Sequence, residues 1–234
     1  DLSDVFLKMR ERDILAYGEE GMGIIFNEWC TTWGKPSHDG NLALADKLKD
    51  SKIKYFVMDA GWYDGTIGDW VIKKEAFPKG FKEYTKEVRD RGLIPGIWME
   101  FECTGEGSKY FDSKYDDMHL KNNGNVIVGV VNKGRKESFW DFTNPETYAL
   151  LKKEVIDFLR DNGFGYLKVD YNSNIGCNCD GAESKGEGLR LHLEKVREFF
   201  LDIKKEIPDI IVEDCSSGGM RLDPSMLAVS GMCS

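Results

Sequence analysis

The chain of 234 residues carries 41 acidic and 32 basic side chains, a formal charge of −9 at neutral pH. With no Lys/Arg cluster, that balance excludes a nucleic-acid or anionic-membrane binder, and no apolar run approaches the ~20 residues of a membrane helix. Six Cys in an acidic chain of this length do not form a disulfide framework.

Residues 1–22 read as a lead-in and 23–234 as one α/β body. Gly23-Ile24-Ile25-Phe26 is an apolar run that stops at Asn27-Glu28-Trp29. A helix is predicted over 41–52, with Leu44 and Leu48 one turn apart and charges between them. Tyr55-Phe56-Val57-Met58 runs into Asp59-Ala60-Gly61-Trp62-Tyr63, and a helix over 81–91 stops at Gly92. Leu93-Ile94-Pro95-Gly96-Ile97 runs into Trp98-Met99-Glu100-Phe101-Glu102. Thr104-Gly105-Glu106-Gly107 is no phosphate loop, since an acid stands where the anion would bind. Thr143-Asn144-Pro145-Glu146 combines a cap residue, a first-turn Pro and an early acid, and the helix it opens keeps a 3.6-residue period to Asn162-Gly163.

A buried strand follows over 164–170. Lys168 and Asp170 are two residues apart, so they point to the same side of it. Two charges on a buried face must pair or work on a ligand. Beside Lys168, Asp170 is expected to stay ionised, which suits a nucleophile. Cys177-Asn178-Cys179-Asp180 lacks His at ligand spacing, and His38, His119 and His192 show no pairing, so no metal site is read. A helix over 188–206 leads to Ile210-Ile211-Val212, which runs into Glu213-Asp214-Cys215, and a sixth strand is a candidate within 227–233.

Strand and helix alternate throughout, which is the signature of a parallel sheet. Polar ends on successive strands favour a barrel over a doubly wound sheet, whose ligand sits at one switch point. Carboxylates, indoles and amides converging without a metal motif suit a carbohydrate, which offers hydroxyls to acids and C–H faces to Trp. A metal-assisted enzyme with Lys168 as base would need a ring of carboxylate ligands that the sequence does not show.

Taken in order, Asn27-Glu28-Trp29, Asp59-Ala60-Gly61-Trp62-Tyr63, Trp98-Met99-Glu100-Phe101-Glu102, Asp141-Phe142-Thr143-Asn144-Pro145-Glu146, Lys168-Val169-Asp170-Tyr171-Asn172 and Cys215-Ser216-Ser217-Gly218-Gly219-Met220-Arg221-Leu222-Asp223 resemble glycoside hydrolase family 36, the melibiase-type retaining α-galactosidases. The resemblance covers roughly residues 20–234. It implies a (β/α)8 TIM-type barrel, incomplete at the C-terminus in this chain, with flanking β domains outside it. It also implies removal of terminal α-galactosyl residues through a covalent glycosyl-enzyme on Asp170, with no cofactor. An α-galactoside oligosaccharide is the implied partner, and there is room for a homo-oligomer. Alternatives are an α-N-acetylgalactosaminidase, an α-galactosyl transferase, or a non-catalytic sugar-binding barrel. With no signal peptide in these residues, a cytoplasmic protein is expected.

Carried over by position, Lys168 and Asn172 match substrate contacts, Asp59 matches the first of two adjacent acids that hold galactose hydroxyls, and Trp29 and Trp98 match aromatic pocket walls. Arg135 matches an arginine reaching the sugar, and Cys215 and Gly218 belong to an element lining the ring. Two departures stand out. The second acid of the pair is Ala60, so either one hydroxyl is unread or Glu100 or Glu102 takes over the contact. The family's acid/base Asp, in a Ser-Asp context, is expected after Cys233-Ser234.

Overall fold

The computed structural model describes residues 2–5, 8, 23–130 and 134–234. The predicted lead-in over 1–22 therefore lies almost wholly outside the described residues.

Strands β1 (Ile24–Asn27), β2 (Ile53–Met58) and β3 (Ile94–Met99) lie side by side and parallel. Between them run α1 (Trp29–Thr32), α2 (His38–Leu48) and α3 (Gly80–Arg89). The chain then leaves the sheet. β4 (Cys103–Gly105), β7 (Val128–Val130) and β8 (Lys136–Phe139) make a small antiparallel sheet in the order β4-β8-β7, beside the hairpin of β5 (Lys121–Asn122) and β6 (Asn125–Val126). It returns through α4 (Pro145–Leu151), a π-helical turn (Lys152–Asp157) and α5 (Phe158–Asn162) to β9 (Tyr166–Asp170). Then follow α6 (Lys185–Glu206), β10 (Ile211–Cys215), α7 (Pro224–Leu227) and β11 (Met232–Cys233). The main sheet has the order β1-β2-β3-β9-β10-β11, all parallel. It is a barrel-like half-barrel, and among the described residues it does not close into an eightfold ring.

Helix starts follow side-chain capping. Asn144 accepts from the backbone N–H groups of Glu146 and Thr147, with Pro145 at the first helical position. Ser184 accepts from Glu187 N–H, so α6 begins at Lys185, three residues before the predicted 188. The candidate sixth strand is much shorter than 227–233, because Asp223 caps α7 and the chain is helical to Leu227.

Strand parity sorts the core. Phe56, Met58, Ile97, Met99, Leu167, Val169 and Val212 belong to the main hydrophobic cluster that α3, α5 and α6 help to build. The alternate residues Tyr55, Val57, Tyr166 and Ile211 form a separate buried cluster on the opposite face of the strands. Gly96 belongs to this second set. A Cβ there would stand 2.9 Å from Val57 and 3.0 Å from Tyr166, so only glycine lets those side chains meet over β3. Continuing the same parity to the carboxyl ends gives Asp59, Trp98, Glu100, Lys168, Asp170 and Cys215.

Candidate active site

A cavity of about 1010 Å³ opens at the carboxyl ends of β2, β3 and β9, where α/β barrels place their chemistry. Trp29, Asp59, Trp98, Arg135, Lys168, Asp170 and Asn172 all line it. Cys215 and Gly218 do not. Cys215 is buried opposite Asp170 in the β9–β10 register, and it is Ser217, one residue before Gly218, that reaches the wall.

Asp59 is buried and held on both oxygens. Its Oδ2 accepts from Asn27 Nδ2 at 2.7 Å and Lys168 Nζ at 2.9 Å, and its Oδ1 accepts from Ala60 N–H at 2.8 Å. Its own N–H donates to Glu28 Oε1 at 2.8 Å. Asn27 also accepts from Trp29 N–H, so one amide fixes both the acid and the indole-bearing turn. Burial raises the Glu28 carboxyl above the ordinary range against the hydrogen bonds it accepts from Thr32 and Asp59. Lys168 corrects one expectation: its ion-pair partner is Asp59, not Asp170. Burial works to lower its ammonium, but the charge and hydrogen bond of Asp59 outweigh it and the net shift is upward.

Asp170 is held by Trp98 on one oxygen and has the Cys215 thiol beside it. Oδ2 accepts from Trp98 Nε1 at 3.0 Å, while Oδ1 is buried without a hydrogen-bond partner. Trp98 is itself fixed: its carbonyl accepts from Trp62 Nε1 at 2.9 Å and its ring stacks on Tyr63 at 6.1 Å. Burial leads the rise of the Tyr63 phenol to about 12.

Of the two acids named from sequence as possible replacements at Ala60, one reaches the wall, and further wall residues were not singled out from sequence. Glu100 accepts from Asn172 N–H at 3.0 Å and lines the cavity, whereas Glu102 does not. Its carboxyl is pushed up to about 8, first by burial, then by the Glu137 charge, with Asp170 adding to it. Arg135 pairs with the buried Glu137, to which Ser173 also donates. Gly129 and Val130, on β7, gave no signal in the sequence at all. Gly61 did, through its place after Asp59-Ala60: its φ is +104°, and a Cβ would stand 2.2 Å from the Gly34 carbonyl oxygen at the rim.

The loop after β10 is tied down from below. Arg221 donates from Nη1 to Glu102 Oε1 and from Nη2 to Asp214 Oδ1, both at 2.6 Å, and lies 4.8 Å over the Tyr171 ring. Ser216 and Ser217 donate to the Tyr171 carbonyl and the Asn172 side chain. Burial raises Asp214 to about 6 despite Arg221. Among the described residues, Glu100, Cys103 and Glu137 bring donor atoms within 4.8 Å of one another. They do not fit a metal: Glu137 is taken by Arg135 and Ser173, and burial holds the Cys103 thiol well above its ordinary value.

The model of the Melibiase family matches residues 2–232. The chain belongs to the Melibiase family. Among curated relatives of this melibiase-family chain, alpha-galactosidase AgaA of Geobacillus stearothermophilus is 24% identical over 223 residues, covering 91% of this chain and 30% of the relative. Alpha-galactosidase Mel36A of Lactobacillus acidophilus is 24% identical over 213 residues, covering 86% and 28%. The chain thus spans about a third of the length of the relatives it matches. A solved structure of a GH36 alpha-galactosidase AgaA variant in complex with 1-deoxygalactonojirimycin superposes with a TM-score of 0.82 at 23% identity, over 97% of this chain and 33% of that one. Another AgaA variant, in complex with raffinose, gives 0.81 at 23% identity, over 96% and 32%. These likenesses carry the fold.

Proposed function

We infer that this protein is a retaining α-galactosidase, its six strands part of a (β/α)8 barrel, with Asp170 as the nucleophile. The observation that carries the reading is the state of Asp170. One oxygen is fixed by the Trp98 indole, the other is buried and accepts no hydrogen bond, and the residue lines the cavity. Such a carboxylate is oriented without being spent on an internal partner, as attack on an anomeric carbon requires. The bond from Asp170 to that carbon forms as the glycosidic bond breaks, and water then releases the sugar.

The surrounding groups fit roles around the sugar. Lys168 and Asp59 form a dipole whose spare hydrogen-bonding capacity faces hydroxyls, and Trp29 and Trp98 offer ring faces to C–H surfaces. Asn172 and Arg135 complete a polar wall. A second carboxyl must protonate the leaving oxygen. Asp214 is bound to Arg221 and Asp223 caps α7, so neither supplies that proton. The substrate is of the kind held in a similar enzyme's complex, an α-galactosyl oligosaccharide such as raffinose.

The test is to incubate the protein with an activated fluorinated α-galactosyl donor, which slows release of the covalent intermediate, and to map the adduct by mass spectrometry. Label on the Asp170 peptide supports the reading. An adduct on another acid, or hydrolysis that Asp170→Asn leaves intact, refutes it.

A further inference from the structure

Three buried groups outside the nucleophile crowd together at one wall of the cavity, which Glu100 lines and Cys103 and Glu137 do not. Glu100 follows β3, Cys103 opens β4 and Glu137 lies on β8, with donor atoms within 4.8 Å of one another and all three side chains buried. Asp170 on β9 adds a further carboxylate facing Glu100. Among the described residues one cation serves this wall, Arg135, and its geometry commits it to Glu137. Lys168, the other cation among the described residues that line the cavity, is committed to Asp59. Of the other groups around Glu100, the Cys103 thiol at 3.9 Å, the Asn172 N–H and the Tyr63 phenol carry no positive charge, and the Arg135 charge that also reaches it counts for less than burial and the Glu137 charge.

Two close buried carboxylates cannot both ionise cheaply, and one proton shared between them is the ordinary outcome. Arg135 stabilises charge on Glu137, so the proton falls to Glu100. This matters because Glu100 lines the same cavity as Ala60, which stands where a second acid is expected. We propose that Glu100 enters the pocket as a neutral carboxylic acid and donates a hydrogen bond to a substrate hydroxyl, so that this sector of the sugar is read by a donor instead of an accepting carboxylate. The proposal rests on the α-galactoside reading for its ligand and on the packing of Glu100, Glu137 and Arg135 for its proton.

Losing that proton removes the donor and sets a new negative charge beside Asp170 and Glu137. Affinity for a neutral galactoside is then constant below the titration of Glu100 and falls above it, at most tenfold per pH unit. Glu100→Gln keeps a donor that cannot ionise, so its affinity stays level through the alkaline range. Glu137→Gln removes the neighbouring charge that holds the proton on Glu100, so the fall begins at lower pH. A purely structural carboxyl predicts neither change.

The experiment measures the affinity of an S-linked methyl α-galactoside, which resists hydrolysis, by calorimetry between neutral and alkaline pH for the protein and both variants. In parallel, infrared difference spectra follow the carboxylic-acid C=O band without any ligand. The expected result is a band present at neutral pH, lost on alkaline titration in step with affinity, and absent in Glu100→Gln. A missing band in the unaltered protein overturns the proposal, as does an alkaline fall that survives in Glu100→Gln or does not move in Glu137→Gln. A band with no binding at any pH overturns hydroxyl donation and the galactoside reading together, whereas binding without a band overturns this proposal alone.

Discussion

Arg221→Met tests how the floor of the site is held. The guanidinium bridges Glu102 and Asp214 at 2.6 Å each, with side chains only 5% and 2% exposed and the arginine 15% exposed. Met keeps apolar bulk over Tyr171 and Phe200 while removing the charge and five donors. Leaving one buried charge unpaired costs about 3–5 kcal/mol, and here two carboxylates lose the same cation, so the upper half of that range applies. At roughly 2–4 °C per kcal/mol for a chain of this size, the melting temperature near neutral pH falls by roughly 8–20 °C. The sign of the pH dependence is the sharper check. Asp214 already titrates near 6 with Arg221 in place, above the ~4 of an unfolded aspartate. Without Arg221, Asp214 holds its proton to still higher pH in the folded state. The folded chain then binds more protons than the unfolded one above about pH 4, so stability falls as pH rises through the raised values and returns as pH drops. Scanning calorimetry at about pH 5 and near neutrality should therefore show the larger deficit at neutrality. A deficit below about 1 kcal/mol, or one equal at both pH values, would refute the claim that two buried charges depend on this arginine.

Asp170→Asn should abolish turnover of an activated α-galactoside with little change in melting temperature, since the amide still accepts from Trp98 but cannot form the ester; near-normal rates would sink the nucleophile role. Asp59→Asn leaves Lys168 facing a neutral group and removes a charge-assisted contact, so galactoside affinity should drop roughly 10–150-fold by calorimetry, with an unchanged Kd counting against a binding role. Gly61→Ala forces a Cβ to within 2.2 Å of the Gly34 oxygen at φ +104°, so melting temperature and affinity should fall together; a variant of unaltered stability would show that the rim gives way freely. Ala60→Asp should raise the ratio of kcat/KM for a galactoside over its C6-deleted analogue, and an unmoved ratio would mean that this position does not read the sugar.

Five central strands were legible because each is a short apolar run ending at polar residues, and burial on both faces makes such runs continuous. The order of those ends also brought Asp59, Trp98, Lys168 and Asp170 to one cavity on strand parity alone. What parity could not supply was the partner of Lys168. Two-residue spacing puts Lys168 and Asp170 on one side, but Lys168 reaches across β3 to Asp59, 109 residues away in sequence. The insertion between β3 and α4 was illegible for a different reason. Its strands are two to four residues long, too short for any period to emerge, so Gly129, Val130 and the Glu137 that claims Arg135 came only with the fold. The π-helical turn at Lys152–Asp157 was hidden because the apolar stripe runs through it unbroken.

The inner core and the site are one pattern read at two depths. On β2 the inward residues are Tyr55, Val57 and then Asp59, and on β9 they are Tyr166, Lys168 and Asp170. A slip of one residue would turn Lys168 and Asp170 toward the helices and bring Leu167 and Val169 inside. Correct burial of the core therefore already selects the register that assembles the charges. Gly96 links the two, because the contact it permits between Val57 and Tyr166 sets how closely β2 and β9 approach across β3, one layer below Asp59 and Lys168. A larger side chain there would spread the very strands whose ends carry the 2.9 Å ion pair, so the geometry of the site is fixed by packing beneath it.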